Sequence, residues 1–286
     1  MPTPTEFWRQ LQALGVQHGI DNPATRMCQI RPVPTPVEFL RQYQALRVQH
    51  GIDNPAKQMC QTVTYRVALR KYFMMNWNEG TDQRDDYNLV TRGSRTNQWF
   101  QHNKERIRNA AMGKGAPQDY ELALEWAVRS KKVNSVTQPV LQNYCDQHLG
   151  IDCSGLVTNY LIACNKFAYS AAKVRNTSAA SYYNPAKAIN DPADVRQGDL
   201  LVWMKGNSVL RGPGHVAIVE SYVAQTKPEG NMRVVEATGA SGANPKVLDS
   251  MYSVEQIIDR GSNVPVMILI VKRHGDSGHR VCVIRV

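Results

Sequence analysis

Apolar positions in the C-terminal half of the chain change their period once. Leu156, Tyr160, Ala163 and Phe167 recur at helical spacing, so a helix is expected to start at Cys153, with Asp152 as its N-cap. Beyond that helix, residues 199–204, 215–223, 233–238, 264–273 and 281–286 read as strands. Upstream, Leu122, Leu124, Trp126 and Val128 mark a helix over 119–131, and a further helix is predicted over 96–112. Helices first and an antiparallel sheet after them predict an α+β fold.

The N-terminal pattern is a duplication. Pro-Thr-Pro-Thr-Glu-Phe from Pro2 returns as Pro-Thr-Pro-Val-Glu-Phe from Pro34, and 22 of the 28 positions in 2–29 and 34–61 are identical. In each copy apolar residues stand at i, i+4 and i+7: Phe7, Leu11 and Leu14, then Phe39, Tyr43 and Leu46. That spacing predicts one helix per copy, closed by Gly19 and Gly51. The expected organisation is a helical repeat region over 1–61, a mostly helical accessory region over 62–116 and a catalytic domain over 117–286.

Composition narrows the class. The 286 residues are 42% hydrophobic and 20% charged, the balance of an ordinary globular protein. The net charge of +10 is spread along the chain without a nucleic-acid-binding motif, so it predicts a solvated surface and no specific nucleic-acid partner. The longest apolar runs, such as 264–271, fall short of the roughly 20 residues of a membrane span. No signal peptide is read at the N-terminus, which predicts cytoplasmic synthesis and a non-classical route for any action outside the cell. Six scattered cysteines argue for reduced thiols. Cys145-x-x-His148 lacks the second pair that a zinc site needs, and neither a metal nor a cofactor is expected.

The chemistry centres on Asp152-Cys153-Ser154-Gly155. A cysteine at a helix start meets the positive end of the dipole and open backbone N–H groups, which favour a thiolate. Gly214-His215-Val216-Ala217-Ile218-Val219 places a histidine at the start of a strand, as a base would be held. Glu236, a lone acid among apolar neighbours, is the expected orienter of His215; Glu220 and Asn231 are alternatives. Ser154, Tyr144 and Asp152 are the candidates for contacting substrate or the oxyanion, to which a backbone N–H near Cys153 also contributes. Cys164, Cys282 and Trp203 read as core and Asp199 as a turn acid. Gly275-Asp276-Ser277-Gly278 reads as a hairpin turn rather than as a serine-protease motif.

In order, Asp-Cys-Ser-Gly-Leu-Val, Arg196-Gln-Gly-Asp-Leu-Leu-Val-Trp203, Gly-His-Val-Ala-Ile-Val and Val-Val-Glu-Ala-Thr resemble the motif series of NlpC-type cell-wall cysteine peptidases. The resemblance covers about the last 170 residues. It implies a papain-like (NlpC-type) fold, with the nucleophile's helix packed on an antiparallel sheet. It also implies a Cys-His-polar triad and cleavage of amide bonds in peptidoglycan stem peptides. The third position, commonly His in that family, is Glu236 here, which is similar to the related CHAP amidases. The aromatic segment that usually precedes the nucleophile is absent, and Tyr144 is the residue closest to taking its place. Peptidoglycan or a muropeptide is then the expected substrate, and an inhibitor (immunity) protein the expected partner of a delivered toxin; release by lysis is the other expected route. Two alternatives stand beside this reading: an enzyme of the same fold acting as a protein deamidase, transglutaminase or acyltransferase, and an adaptor with a vestigial triad.

Overall fold

The computed structural model describes residues 32–54, 59–73, 96–211, 214–226, 229–240, 242–261, 263–273 and 277–286. The chain divides into two compact units, Met1–Val33 and Pro34–Val286. The first repeat copy lies outside the described residues, and the helices and strands described all belong to the second unit.

Thr35 starts the first helix, α1 (Pro36–Tyr43), with a capping box: the Glu38 N–H donates to Thr35 Oγ1 at 3.2 Å and the Thr35 N–H to Glu38 Oε2 at 2.9 Å. The helix stops at Tyr43, and the chain continues as β1 (Leu46–Asn54) paired with β2 (Met59–Val67). A helix to Gly51 was the sequence expectation. The i+7 position, Leu46, instead begins a period of two, in which Leu46 and Val48 are buried while Arg47 and Gln49 are exposed. Four helices follow: α2 (Gln98–Ala111), α3 (Pro117–Arg129), α4 (Gln138–His148) and α5 (Cys153–Ala163), then the short α6 (Ala171–Asn176). Among the described residues no helix is long and apolar enough to cross a membrane.

The remaining strands are β3 (Ala188–Ile189), β4 (Leu200–Lys205), β5 (Ser208–Val209), β6 (Val216–Thr226), β7 (Glu229–Ala237), β8 (Val247–Ile258), β9 (Ile268–Arg273) and β10 (His279–Ile284). Neighbours run β4-β6-β7-β8-β9-β10, every pair antiparallel, and β10 returns to β4. Val281 faces Leu269 on one side and Trp203 on the other. The sheet is therefore a closed six-stranded barrel with extra strands, and the expected papain-like, NlpC-type helix-on-sheet fold is overturned. Closure covers the inner face of every strand, and the helices cover the outer face of β4 and the start of β6. One face fills the lumen with Leu201, Ala217, Val219, Val234, Leu269 and Val283 among others. The other, including Leu200, Val202, Val216, Ile218 and Val235, packs with the helices in a separate core. Residues 200–204 and 216–219 are buried without a break, so these strands lack the alternation of a half-exposed sheet.

The helical core also takes in residues well upstream of 117. Phe39, Tyr43, Leu46, Leu69 and Phe100 are at most 2% exposed and belong to the cluster that holds Leu156, Val157 and Leu161 of α5. Phe39 meets Tyr160 of α5 edge-on with ring centroids 5.7 Å apart. After β2, residues 68–73 form a strap beside α4 and α5. The Ala68 N–H donates to Gln142 Oε1 at 2.8 Å, the Ile151 N–H to the Lys71 carbonyl at 3.0 Å, and the Phe73 N–H to the Ile151 carbonyl at 3.2 Å.

Candidate active site

Cys153 is the first residue of α5 and is buried. Asp152 has the extended backbone of an N-cap, and its Oδ1 accepts the Gly155 N–H at 2.5 Å. Helical geometry directs the amides of Cys153 and Ser154 out of the same end. The loop before α3 seats this helix start. Gly113 has φ +70°, and its carbonyl accepts the Asp152 N–H at 2.9 Å. A Cβ added at Gly155 would collide with that carbonyl, so only glycine lets the helix lie against the loop.

Next to Gly113, the buried Lys114 places Nζ 2.6 Å from Asp152 Oδ2 and 2.9 Å from the Thr177 carbonyl, and it also bonds Ser154 Oγ. The hydroxyl of Ser154 reaches both Asp152 oxygens at 3.2 and 3.3 Å. The side chains flanking Cys153 are thus joined in a buried Asp–Lys–Ser cluster. Burial pushes the Asp152 carboxyl up, against the opposing pull of Lys114, the Gly155 N–H and Ser154. Ser154 and Asp152, expected as substrate contacts, are positioned here to fix the helix start.

His215 precedes β6 and shares the lumen-facing parity of Ala217 and Val219, as Glu236 shares that of Met232 and Val234 on β7. His215 Nε2 lies 2.8 Å from Glu236 Oε2. Glu236 is wholly buried, and its carboxylate accepts from Ser250 Oγ at 2.5 Å, Arg273 Nη1 at 3.0 Å and the Tyr252 hydroxyl at 3.2 Å. Burial alone would raise this carboxyl, but the bonds and charges of His215, Ser250 and Arg273 hold it below the ordinary value. Trp203 packs edge-on against the imidazole, centroids 4.5 Å apart and planes at 81°. With Nε2 engaged by Glu236, Nδ1 is left for the thiol of Cys153. Burial by itself lowers the imidazole pKa, but hydrogen bonds to Cys153 and Glu236 and the charges of both outweigh it and carry the value to about 10.

Cys153, His215 and Glu236 therefore meet at one end of the barrel. The alternatives to Glu236 are placed otherwise: Glu220 accepts from the Val37 N–H and from Gln197, and Asn231 is exposed on β7. Tyr144 packs tilted against His148 on α4, and the tyrosine beside Cys153 is Tyr72 of the strap, its hydroxyl 3.9 Å from Sγ. Burial, with the charges of Cys153 and Asp152, pushes the Tyr72 phenol well up, so it remains an O–H donor. Asp199 accepts the Arg196 N–H at 2.8 Å and pairs with Arg285, as a turn acid should.

Lys114, Tyr72, Ser250 and Arg273 were not read from the sequence. A glycine on either side of Lys114 was the available signal for the first. For Tyr72 there was none, because its approach depends on the strap's pairing with Ile151. Among the described residues no group of three or more His, Cys, Asp or Glu side chains is arranged to hold a metal ion. Comparison with family models, curated proteins and solved structures gives no match to this chain.

Proposed function

We propose that this chain is a cysteine hydrolase that cleaves amide bonds in peptidoglycan stem peptides through an acyl-enzyme on Cys153. The observation that carries the chemistry is an imidazole fixed between a buried, fully bonded carboxylate and the Cys153 thiol. With its pKa near 10 the imidazole is an imidazolium at neutral pH, a cation placed beside Cys153 as a cysteine nucleophile requires. The thiolate attacks the scissile carbonyl carbon, forming a C–S bond while the carbonyl π pair moves onto oxygen. The helix-start amides, with Tyr72 nearby, face the negative charge that develops there. As the tetrahedral species collapses, the C–N bond breaks and His215 gives its proton to the leaving amine. Water then attacks the thioester with His215 taking a proton, and the acid product leaves as the thiolate returns. The cell-wall substrate is supported by the ordered sequence motifs. Such a substrate places the site of action at the wall, reached by delivery or by lysis.

The test is to incubate the full chain and Cys153→Ala with muropeptides and weigh the products. Cleavage is expected with the wild-type chain alone. Intact muropeptides, with Cys153 still alkylated rapidly at neutral pH, would reject the cell-wall substrate. A slowly alkylated Cys153 would reject the ion pair as well.

A further inference from the structure

The helix that leads into Cys153 carries a second feature. A cavity of about 390 Å³ opens beside α4, within the rough 300 to 1,000 Å³ range of small-molecule sites, and none of Cys153, His215 and Glu236 lines it. Tyr144 and His148 stand one turn apart on its wall, ring centroids 4.6 Å apart and planes tilted by 41°. Asn134, Asn143 and Gln147 contribute three carboxamides, Lys132 contributes an ammonium, valine and proline side chains lie among them, and no carboxylate is present.

This lining discriminates between ligand classes. An apolar ligand would cover three carboxamides without satisfying them, and a polyanion such as a nucleotide would meet a single lysine. Carboxamides offer donors and acceptors together, as do the hydroxyl and acetamido groups of a sugar. The aromatic and aliphatic surface suits the C–H face of a pyranose ring. We propose that this cavity binds an N-acetylated saccharide of the glycan strand while the attached peptide enters the Cys153 site. The substrate assignment rests on the hydrolase reading; the saccharide chemistry rests on the cavity.

Sequence connectivity limits the span. His148 and Cys153 are five residues apart, so their Cα atoms are separated by at most roughly 18 Å.

The probe is the tetramer of N-acetylglucosamine, titrated into the full chain, into Cys153→Ala and into the pair Asn143→Ala/Gln147→Ala. Both residues of the pair are exposed and bond each other at 3.4 Å, so their loss spares the core. Binding at about 1 mM or tighter is expected for wild type and Cys153→Ala, and about tenfold weaker for the pair. No binding by wild type, or binding unchanged in the pair, overturns the proposal. Muropeptides are then compared with the same stem peptides lacking sugar. A lower KM for muropeptides that vanishes in the pair supports the cavity; equal cleavage of both rejects it and leaves the hydrolase intact. Saccharide binding without any cleavage keeps the cavity and rejects the hydrolase.

Discussion

Glu236 shows how much one buried residue sets. It balances two cations, His215 and Arg273, in a site without water-exposed surface of its own. Glu236→Gln keeps the shape but removes the charge, leaving both cations buried. A loss of about 3 to 5 kcal/mol of stability is expected, as for other broken buried pairs, with hydrolysis slowed by about a hundredfold or more. The pH dependence follows from the two shifts. The imidazole rises from 6.5 to about 10 on folding, so its stabilising contribution is complete below about 6.5 and is lost as the pH climbs through 10. The carboxyl falls below its ordinary 4.5, so its contribution is present above that value and disappears as the pH drops through the lowered one. Thermal unfolding from pH 2 to 11 should show wild-type stability falling at both ends of the range, and Glu236→Gln should weaken both declines. Equal curves would refute the coupling. Of this site, Cys153 was legible by its place at a helix start behind Asp152, and His215 and Glu236 by standing alone in apolar strands. Ser250 and Arg273 were not, because a serine and an arginine mark no site until the barrel's curvature points them at one carboxylate.

At the scale of elements, α5 and the 113–115 loop act as one part. Gly155 and Gly113 permit backbone contact, Lys114 ties both flanks of Cys153, and Asn159 Nδ2 donates to the Lys114 carbonyl at 2.9 Å. Gly155→Ala drives a methyl group into the Gly113 carbonyl, and an overpacking cost of about 1 to 3 kcal/mol is expected. On the proposed mechanism activity should fall further than stability, because the displaced end of α5 carries Cys153. Urea unfolding and muropeptide turnover, measured side by side, check the two effects; full activity would show that the close contact is dispensable. The start of α5 was readable from Asp152 and the helical stripe. The 12-residue β8 was missed because its pattern is inverted: Ser250 faces the lumen to reach Glu236, while Met251 faces solvent at 56% exposure.

For the whole molecule, closure of the barrel and the long reach of the upstream chain matter most. Alternation could not announce closure, since β4 and the start of β6, covered on both sides, read as continuous apolar runs while β8 alternates like a strand of an open sheet. A chain beginning at residue 117 keeps every barrel strand together with Cys153, His215 and Glu236. It loses Phe39, Tyr43, Leu46, Leu69 and Phe100 from the core behind α5, and Tyr72 from the thiol. Such a chain should fail to unfold cooperatively by circular dichroism and should leave muropeptides intact. A stable, active fragment would show that the upstream segment is an accessory.

The seating of α1 gives the duplication a meaning that identity alone hides. Between Pro36–Tyr43 and the matching stretch of the first copy only three residues differ: Val37 replaces Thr5, Leu40 replaces Trp8 and Tyr43 replaces Leu11. All three lie on the buried face, whereas the solvent-facing Glu38, Arg41 and Gln42 are the same in both copies. Tyr43 donates to the Gly115 carbonyl at 3.0 Å, a bond that leucine cannot make, and tryptophan at position 40 would overfill a site where leucine is 2% exposed. Two near-identical keys are thus distinguished only by the teeth that enter the lock, and the second copy is the one cut for this core.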